Sequence, residues 1–72
     1  MTNIKLLEEK IKVSGKKKSY LAERLGISRA GFRNLCLGKS QFRTGQVQIL
    51  CEELNITSLR ERQAIFFAEN VA

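Results

Sequence analysis

Residues 21–39, LAERLGISRAGFRNLCLGK, decide how this chain is read. Leu21, Ala22 and Leu25 share one side of a short helix, at spacings i, i+1 and i+4, while Glu23 and Arg24 face outward. Gly26 stands where a helix end needs positive φ, a conformation that glycine reaches without a Cβ clash. Ile27 plugs the corner, and Ser28 is a favourable N-cap for a second helix. At about 100° per residue, that helix places Arg29, Ala30, Arg33 and Asn34 on one arc and Gly31, Phe32 and Leu35 on the other. The first arc points away from any core, so it is free to touch something else.

Charge placement suggests what that is. The chain carries 13 Lys and Arg against 7 Asp and Glu, and the imbalance is local. From Lys10 to Arg43 there are ten basic residues against Glu23 alone, a net charge of +9, whereas the remainder nets −3. A surface built from the middle of the chain therefore carries concentrated positive potential, which suits a polyanion. Taken singly, an exposed arginine is more often a solvated side chain than a contact. Arg29 and Arg33 gain weight by lying inside this block and on one helix face.

The flanking sequence is helical throughout. With 72 residues and no Pro, repeat or low-complexity stretch, the chain is one small domain, residues 1–72, with a single core. A first helix is expected from about Asn3 to Val13, with Ile4, Leu7 and Ile11 on one stripe, Asn3 or Thr2 as N-cap, and Ser14-Gly15 as its stop. Leu6 and Val13 fall on another side and suggest a second neighbour. Ser19 is expected to cap the second helix and Gly38-Lys39 to end the third. After a loop holding Gln41, Phe42 and Arg43, Thr44 is expected to cap a fourth helix with Val47, Leu50, Cys51 and Leu54 inward. Ser58 with Glu61 forms a capping-box signature for a fifth helix, Leu59 to about Asn70. The fold class is thus all-α, five helices.

Other chemistry is thinly represented. No His is present, and the two cysteines, Cys36 and Cys51, sit in apolar contexts, so a zinc site lacks its usual four ligands and both read as small buried hydrophobes. No cofactor or metal is expected. Nucleophile–base pairs and Gly-rich phosphate loops are missing, and Glu52-Glu53, adjacent on a helix, read as a solvated face. These features argue against an enzyme. The absence of a signal peptide, a long apolar run or a lipidation motif argues for a soluble protein without membrane association, in the cytoplasm.

Two short helices joined by a Gly turn, the second offering Arg and Asn outward, form a helix-turn-helix. The pattern LAxxLGIxxxxFxxL, from Leu21 through Ala22, Leu25, Gly26, Ile27 and Phe32 to Leu35, closely resembles the lambda-repressor-like helix-turn-helix family that contains phage Cro and CI proteins. The five-helix layout extends the resemblance over nearly the whole chain. The tail IFFAENVA, residues 65–72, is similar to small Cro-like proteins of Gram-positive temperate phages.

The resemblance implies roles for individual residues. Arg29 and Ala30, with Arg33 and Asn34 one turn further on, match positions that meet base edges. Arg29 suits guanine O6 and N7, Ala30 a thymine methyl, and Asn34 an adenine or a phosphate. Lys18 and Ser19, together with Lys39 and Arg43, match backbone-contact positions that set register and supply salt-dependent affinity. Gln41 and Lys17 are further phosphate-contact candidates. Gly31 replaces the Ser or Thr often found there, at a helix cost of up to about 1 kcal/mol relative to Ala.

Two functions are compatible with this reading in a bacterial host. The first is a Cro-like regulator that inserts the helix from Ser28 to Leu37 into the major groove of double-stranded DNA at a lysis–lysogeny switch, as a homodimer on a two-fold operator. The second is an antirepressor, or modulator of repression, that binds a partner CI-type repressor and alters its access to DNA. An antitoxin of the same fold is a third, weaker option. In the fifth helix Leu59 and Phe66 share a stripe expected to face the core. Ile65 and Phe67 flank it about 160° apart, so both cannot be fully inward. Ile65, Phe67 and Val71 are the candidates for a dimer or partner interface.

Overall fold

The computed structural model describes residues 2–68. They form five α-helices, α1 (Ile4–Ser14), α2 (Lys18–Leu25), α3 (Arg29–Cys36), α4 (Thr44–Glu53) and α5 (Leu59–Phe66), with no strand among the described residues. The α2 helix packs on both α3 and α4, and α1 packs on α3 and α5. One cluster joins all five: Leu7 and Ile11 from α1, Leu21 and Ala22 from α2, Phe32 and Cys36 from α3, Val47, Leu50 and Cys51 from α4, and Ile65 and Phe66 from α5. Phe32, Leu7, Leu21, Leu50 and Ile65 are its largest fully enclosed side chains.

Local chemistry accounts for most of the helix ends. Asn3 caps α1, its Oδ1 accepting from the Leu6 N–H at 3.1 Å. Ser28 caps α3 through a 3.0 Å bond from the Gly31 N–H, and Ser58 caps α5 through a 3.3 Å bond from the Glu61 N–H. Gly26 closes α2 at φ 71° and ψ 28°. There the Ile27 N–H reaches the Ala22 carbonyl at 3.1 Å and the Gly26 N–H reaches that of Glu23 at 3.0 Å, which satisfies two carbonyls the helix end would otherwise leave open. Asn55 performs the same reversal after α4 at φ 57°, an angle Asn tolerates better than most residues.

Two helices start without the expected caps. Lys17 occupies the N-cap of α2 and makes no side-chain cap bond, and Ser19 lies inside the first turn. Likewise Arg43, rather than Thr44, stands at the N-cap of α4, where the Gln46 Oε1 accepts from the Arg43 N–H at 2.9 Å. The entry into α2 is instead held by tertiary bonds, because the Lys16 ammonium donates to the Glu53 carbonyl at 2.6 Å and to its carboxylate at 2.8 Å.

Of the Glu52-Glu53 pair, Glu52 is exposed as expected and Glu53 is not. Its side chain is only 12% exposed and accepts from Lys16 on one oxygen and from Arg24, at 2.8 Å, on the other. One carboxylate thereby joins the α1–α2 loop, α2 and α4. These two hydrogen-bonded cations, Lys16 first and Arg24 second, hold its pKa down at about 2. Val13 also departs from expectation: it is 85% exposed and contacts no second neighbour, whereas Leu6 packs against the core.

The α5 helix ends at Phe66, short of the expected Asn70: Phe67 is its C-cap and Ala68 is not helical, and residues 69 and 70 lie outside the described residues. Leu59, expected inward, is 68% exposed. The helix is rotated by its docking on α1, where the Asn3 N–H donates to the Ile65 carbonyl at 2.6 Å and Lys10 pairs with Glu61 at 2.6 Å. Phe66 meets the edge of Phe42 at 5.4 Å between centroids, so Ile65 and Phe66 become the buried pair and Leu59 is left in the first turn, outside the core.

Replacing Phe32 with Ala should destabilise the domain by about 3–5 kcal/mol, enough to unfold most of a chain this small. A thermal melt unchanged from wild type would show that Phe32 is not a core residue. Glu53→Gln should lower the melting temperature near neutral pH. A carboxylate pKa lowered by folding adds stability above the unfolded value, about 4.3. That stability is lost as pH falls toward the native value of about 2. Wild type should therefore lose melting temperature faster than Glu53→Gln as pH falls through this window, and parallel declines would refute the bracing role of Glu53.

Candidate nucleic-acid interface

The α3 helix has two unlike sides. Phe32, Leu35 and Cys36 are buried, while Arg29, Ala30, Arg33 and Asn34 are all exposed. This separation follows from helical spacing once Phe32 is seated, since Arg29 and Arg33 lie one turn apart, as do Ala30 and Asn34. Glycine at position 31 has a local reason as well: a Cβ there would approach the Ser28 Oγ to 3.3 Å and crowd the cap bond that starts the helix.

Arg29 occupies the first turn of α3, and no acidic residue accompanies it. A cation at the positive end of a helix dipole is worth a few tenths to about 1 kcal/mol in the wrong direction for stability. The same arrangement attracts an external anion, because side chain and helix end add their potentials. Beyond the helix, Gly38 at φ 78° turns the chain, and the Lys39 N–H bonds the Asn34 carbonyl at 2.9 Å, which ties the backbone of Lys39 to the end of α3.

Ion pairing divides the basic block. Four of its ten cations have acidic partners: Lys10 with Glu61, Lys16 and Arg24 with Glu53, and Lys18 with Glu8 at 2.8 Å. Among the described residues, Arg29, Arg33, Lys39 and Arg43 take part in no ion pair, nor do Lys12 and Lys17. Among the described residues, structural acids thus neutralise four cations on α1, α2 and the loop between them, where Lys12 and Lys17 stay unpaired, and none of the block's cations on α3 or after it.

Four of the sequence-derived contact candidates come together. Lys18, Ser19, Arg29 and Arg33 line one groove of about 540 Å³ between α1, the start of α2 and the flank of α3. Ala30 and Asn34 are exposed on α3 but do not line it, and Lys39 and Arg43 belong to the following loop. Gln41 keeps different company, beside Thr2, Phe42 and Phe66 in a separate cavity of about 130 Å³. Lys17 is exposed just before α2.

The groove also contains residues that the sequence did not mark as contact candidates. Ile4, Leu37 and Phe32 supply apolar walls, and Glu8 is the one acid. Its separation of ten residues from Lys18 carries no helical signal; only the angle between α1 and α2 brings them together. Cys36 lies at the same groove, where burial above all, with the Glu8 charge acting the same way, pushes its thiol up to about 11 and leaves it a poor nucleophile. Cys51 is likewise a buried free cysteine.

The three interface candidates in the C-terminal region separate. Ile65 is wholly enclosed in the core and offers no surface, so it is not an exposed anchor. Phe67 is 54% exposed, and Val71 lies outside the described residues. Among the described residues, no three His, Cys, Asp or Glu side chains converge as metal ligands, and no helix is long and apolar enough to cross a membrane. No protein-family profile, curated protein or solved structure matches the chain.

Proposed function

We propose that this protein is a transcriptional regulator that binds operator DNA by placing α3 in the major groove, in the manner of the phage Cro and CI proteins its helix-turn-helix pattern resembles. The observation that carries the reading is the exposed arc Arg29, Ala30, Arg33 and Asn34, whose arginines have no ion-pair partner among the described residues while half of the remaining basic block is neutralised internally. Arg29 and Asn34 supply the donors and acceptor that base edges require, and Ala30 a methyl-sized apolar contact. Lys39 and Arg43, with Lys17, Lys18 and Ser19 on the other flank, contact phosphates and set register. One such module has limited specificity, and a homodimer on two half-sites about one helical turn apart supplies the rest.

A second reading rests on a different observation. Leu59 and Phe67 of the α5 region and Leu37 after α3 are each more than half exposed. Exposed apolar side chains of this size are the kind that anchor a protein partner when they are gathered into one patch. An antirepressor that binds a CI-type repressor would use them, and would act on DNA only through that partner.

Mobility shifts on the promoter region beside its own gene, against a scrambled competitor and with or without the neighbouring repressor, separate the two. A specific shift by the protein alone supports operator binding, and an effect only in the presence of the repressor supports the second reading. Within the first, Arg29→Ala should cost about 1–3 kcal/mol and relax preference at one base pair. Lys39→Ala should weaken binding to all sequences alike and flatten the dependence of log K on log salt by about one. Equal losses on every DNA for both variants would refute this division of labour.

A further inference from the structure

Among the described residues, the charged side chains lining the groove between α1 and α3 are the cationic Lys18, Arg29 and Arg33 and one anion, Glu8. Its Oε2 accepts from the Lys18 ammonium at 2.8 Å. Its Oε1 is closed off from solvent and makes no well-formed hydrogen bond among the described residues, and Glu8 has the weakly donating Cys36 thiol for a neighbour, so the carboxylate is not fully satisfied where it stands. Lys18 is the first residue of α2 and one of the candidate phosphate contacts, and its side chain is 51% exposed, open to an incoming group.

From this juxtaposition we infer that Glu8 is an affinity-setting residue for DNA, a built-in competitor that occupies Lys18 in the free protein and opposes the phosphate that would take its place. The inference rests on the DNA-binding reading above. A backbone phosphate reaching Lys18 must share the ammonium with a carboxylate of the same sign or displace it. Either way the contact yields less than that of an unpaired lysine. Lys39 and Arg43 have no such competitor among the described residues, so the handicap is particular to the Lys18 side of the interface. Its effect falls on the sequence-independent part of binding, because phosphate contacts carry no base information. Glu8 thereby keeps a strongly basic domain from being held by arbitrary DNA, and leaves a larger share of the affinity to the side chains of α3.

The test uses a mixed-sequence duplex of about two helical turns, which contains the relevant phosphates whatever the operator is. Glu8→Gln keeps the size and shape of the side chain and removes its charge. It should tighten binding about two- to five-fold, the range expected for releasing an exposed ion pair. It should also steepen the salt dependence by about 0.9 in log–log slope, as one more phosphate contact is completed. In a Lys18→Met background, Glu8→Gln should change affinity little, whereas in a Lys18→Arg background the tightening should return. Circular dichroism on each variant checks folding, with Lys18→Gln standing in should the Met variant fail to fold. Tightening that persists without the Lys18 charge would reveal only the change in net charge and would overturn the inference, as would no tightening at all. Failure of the wild-type protein to bind any duplex would instead remove the DNA-binding reading and this inference with it.

Discussion

The seating of Phe32 under α2 is the constraint on which the presentation of α3 depends. Phe32 is 1% exposed and belongs to the same cluster as Leu21 and Ala22, so it settles which side of α3 faces inward. That seat is reached because the chain reverses over the three residues Gly26, Ile27 and Ser28, where φ of 71° at Gly26 lets α3 fold back against α2. The small side chain of Ala22 allows the two helices to approach. Once Phe32 is inward, 3.6-residue periodicity leaves Arg29, Ala30, Arg33 and Asn34 no direction but outward. Core packing and the exposed polar arc are in this sense one decision made on opposite sides of an eight-residue helix.

Electrostatics then sharpens what packing has exposed. Glu53 gathers Lys16 and Arg24, Glu61 takes Lys10 and Glu8 takes Lys18, so acids that dilute the net charge of the chain are spent on particular cations. Arg29, Arg33, Lys39 and Arg43 remain without partners among the described residues. A uniformly basic surface would attract polyanions from any direction, whereas a locally bare one orients them. Placing Arg29 in the first turn of α3, against the helix dipole, costs a little stability and concentrates the positive potential where the exposed arc of α3 begins.

Much of this was legible in the linear pattern because it is set by neighbours within a few residues. Asn3, Ser28 and Ser58 cap the helices they were expected to cap, since a side-chain oxygen reaching an amide three residues on needs no distant partner. The buried faces of α2, α3 and α4 follow from spacing for the same reason. The misses share a cause too. Ser19 and Thr44 have suitable chemistry for caps, yet Lys17 and Arg43 hold those positions, and at α2 a long-range bond from Lys16 to Glu53 governs how the chain enters. Leu59 lies outside the core it was expected to face, and the choice of Ile65 over Phe67 as the buried flank was open in the sequence, because the rotation of α5 is set by Asn3, Lys10 and Phe42, none of them near it in sequence.

By itself, then, the sequence determined five helices, the glycine-hinged pair at their centre and the identity of the outward arc on α3, all consequences of local geometry and helical periodicity. Tertiary structure alone decided which cations are neutralised, that Glu8 meets Lys18 beneath the flank of α3, and that Ile65 is enclosed while Leu59 and Phe67 stay at the surface. The physical reason is that pairing and burial depend on the angles at which helices cross. Those angles come from the fit of the whole core, which no short stretch of the chain encodes.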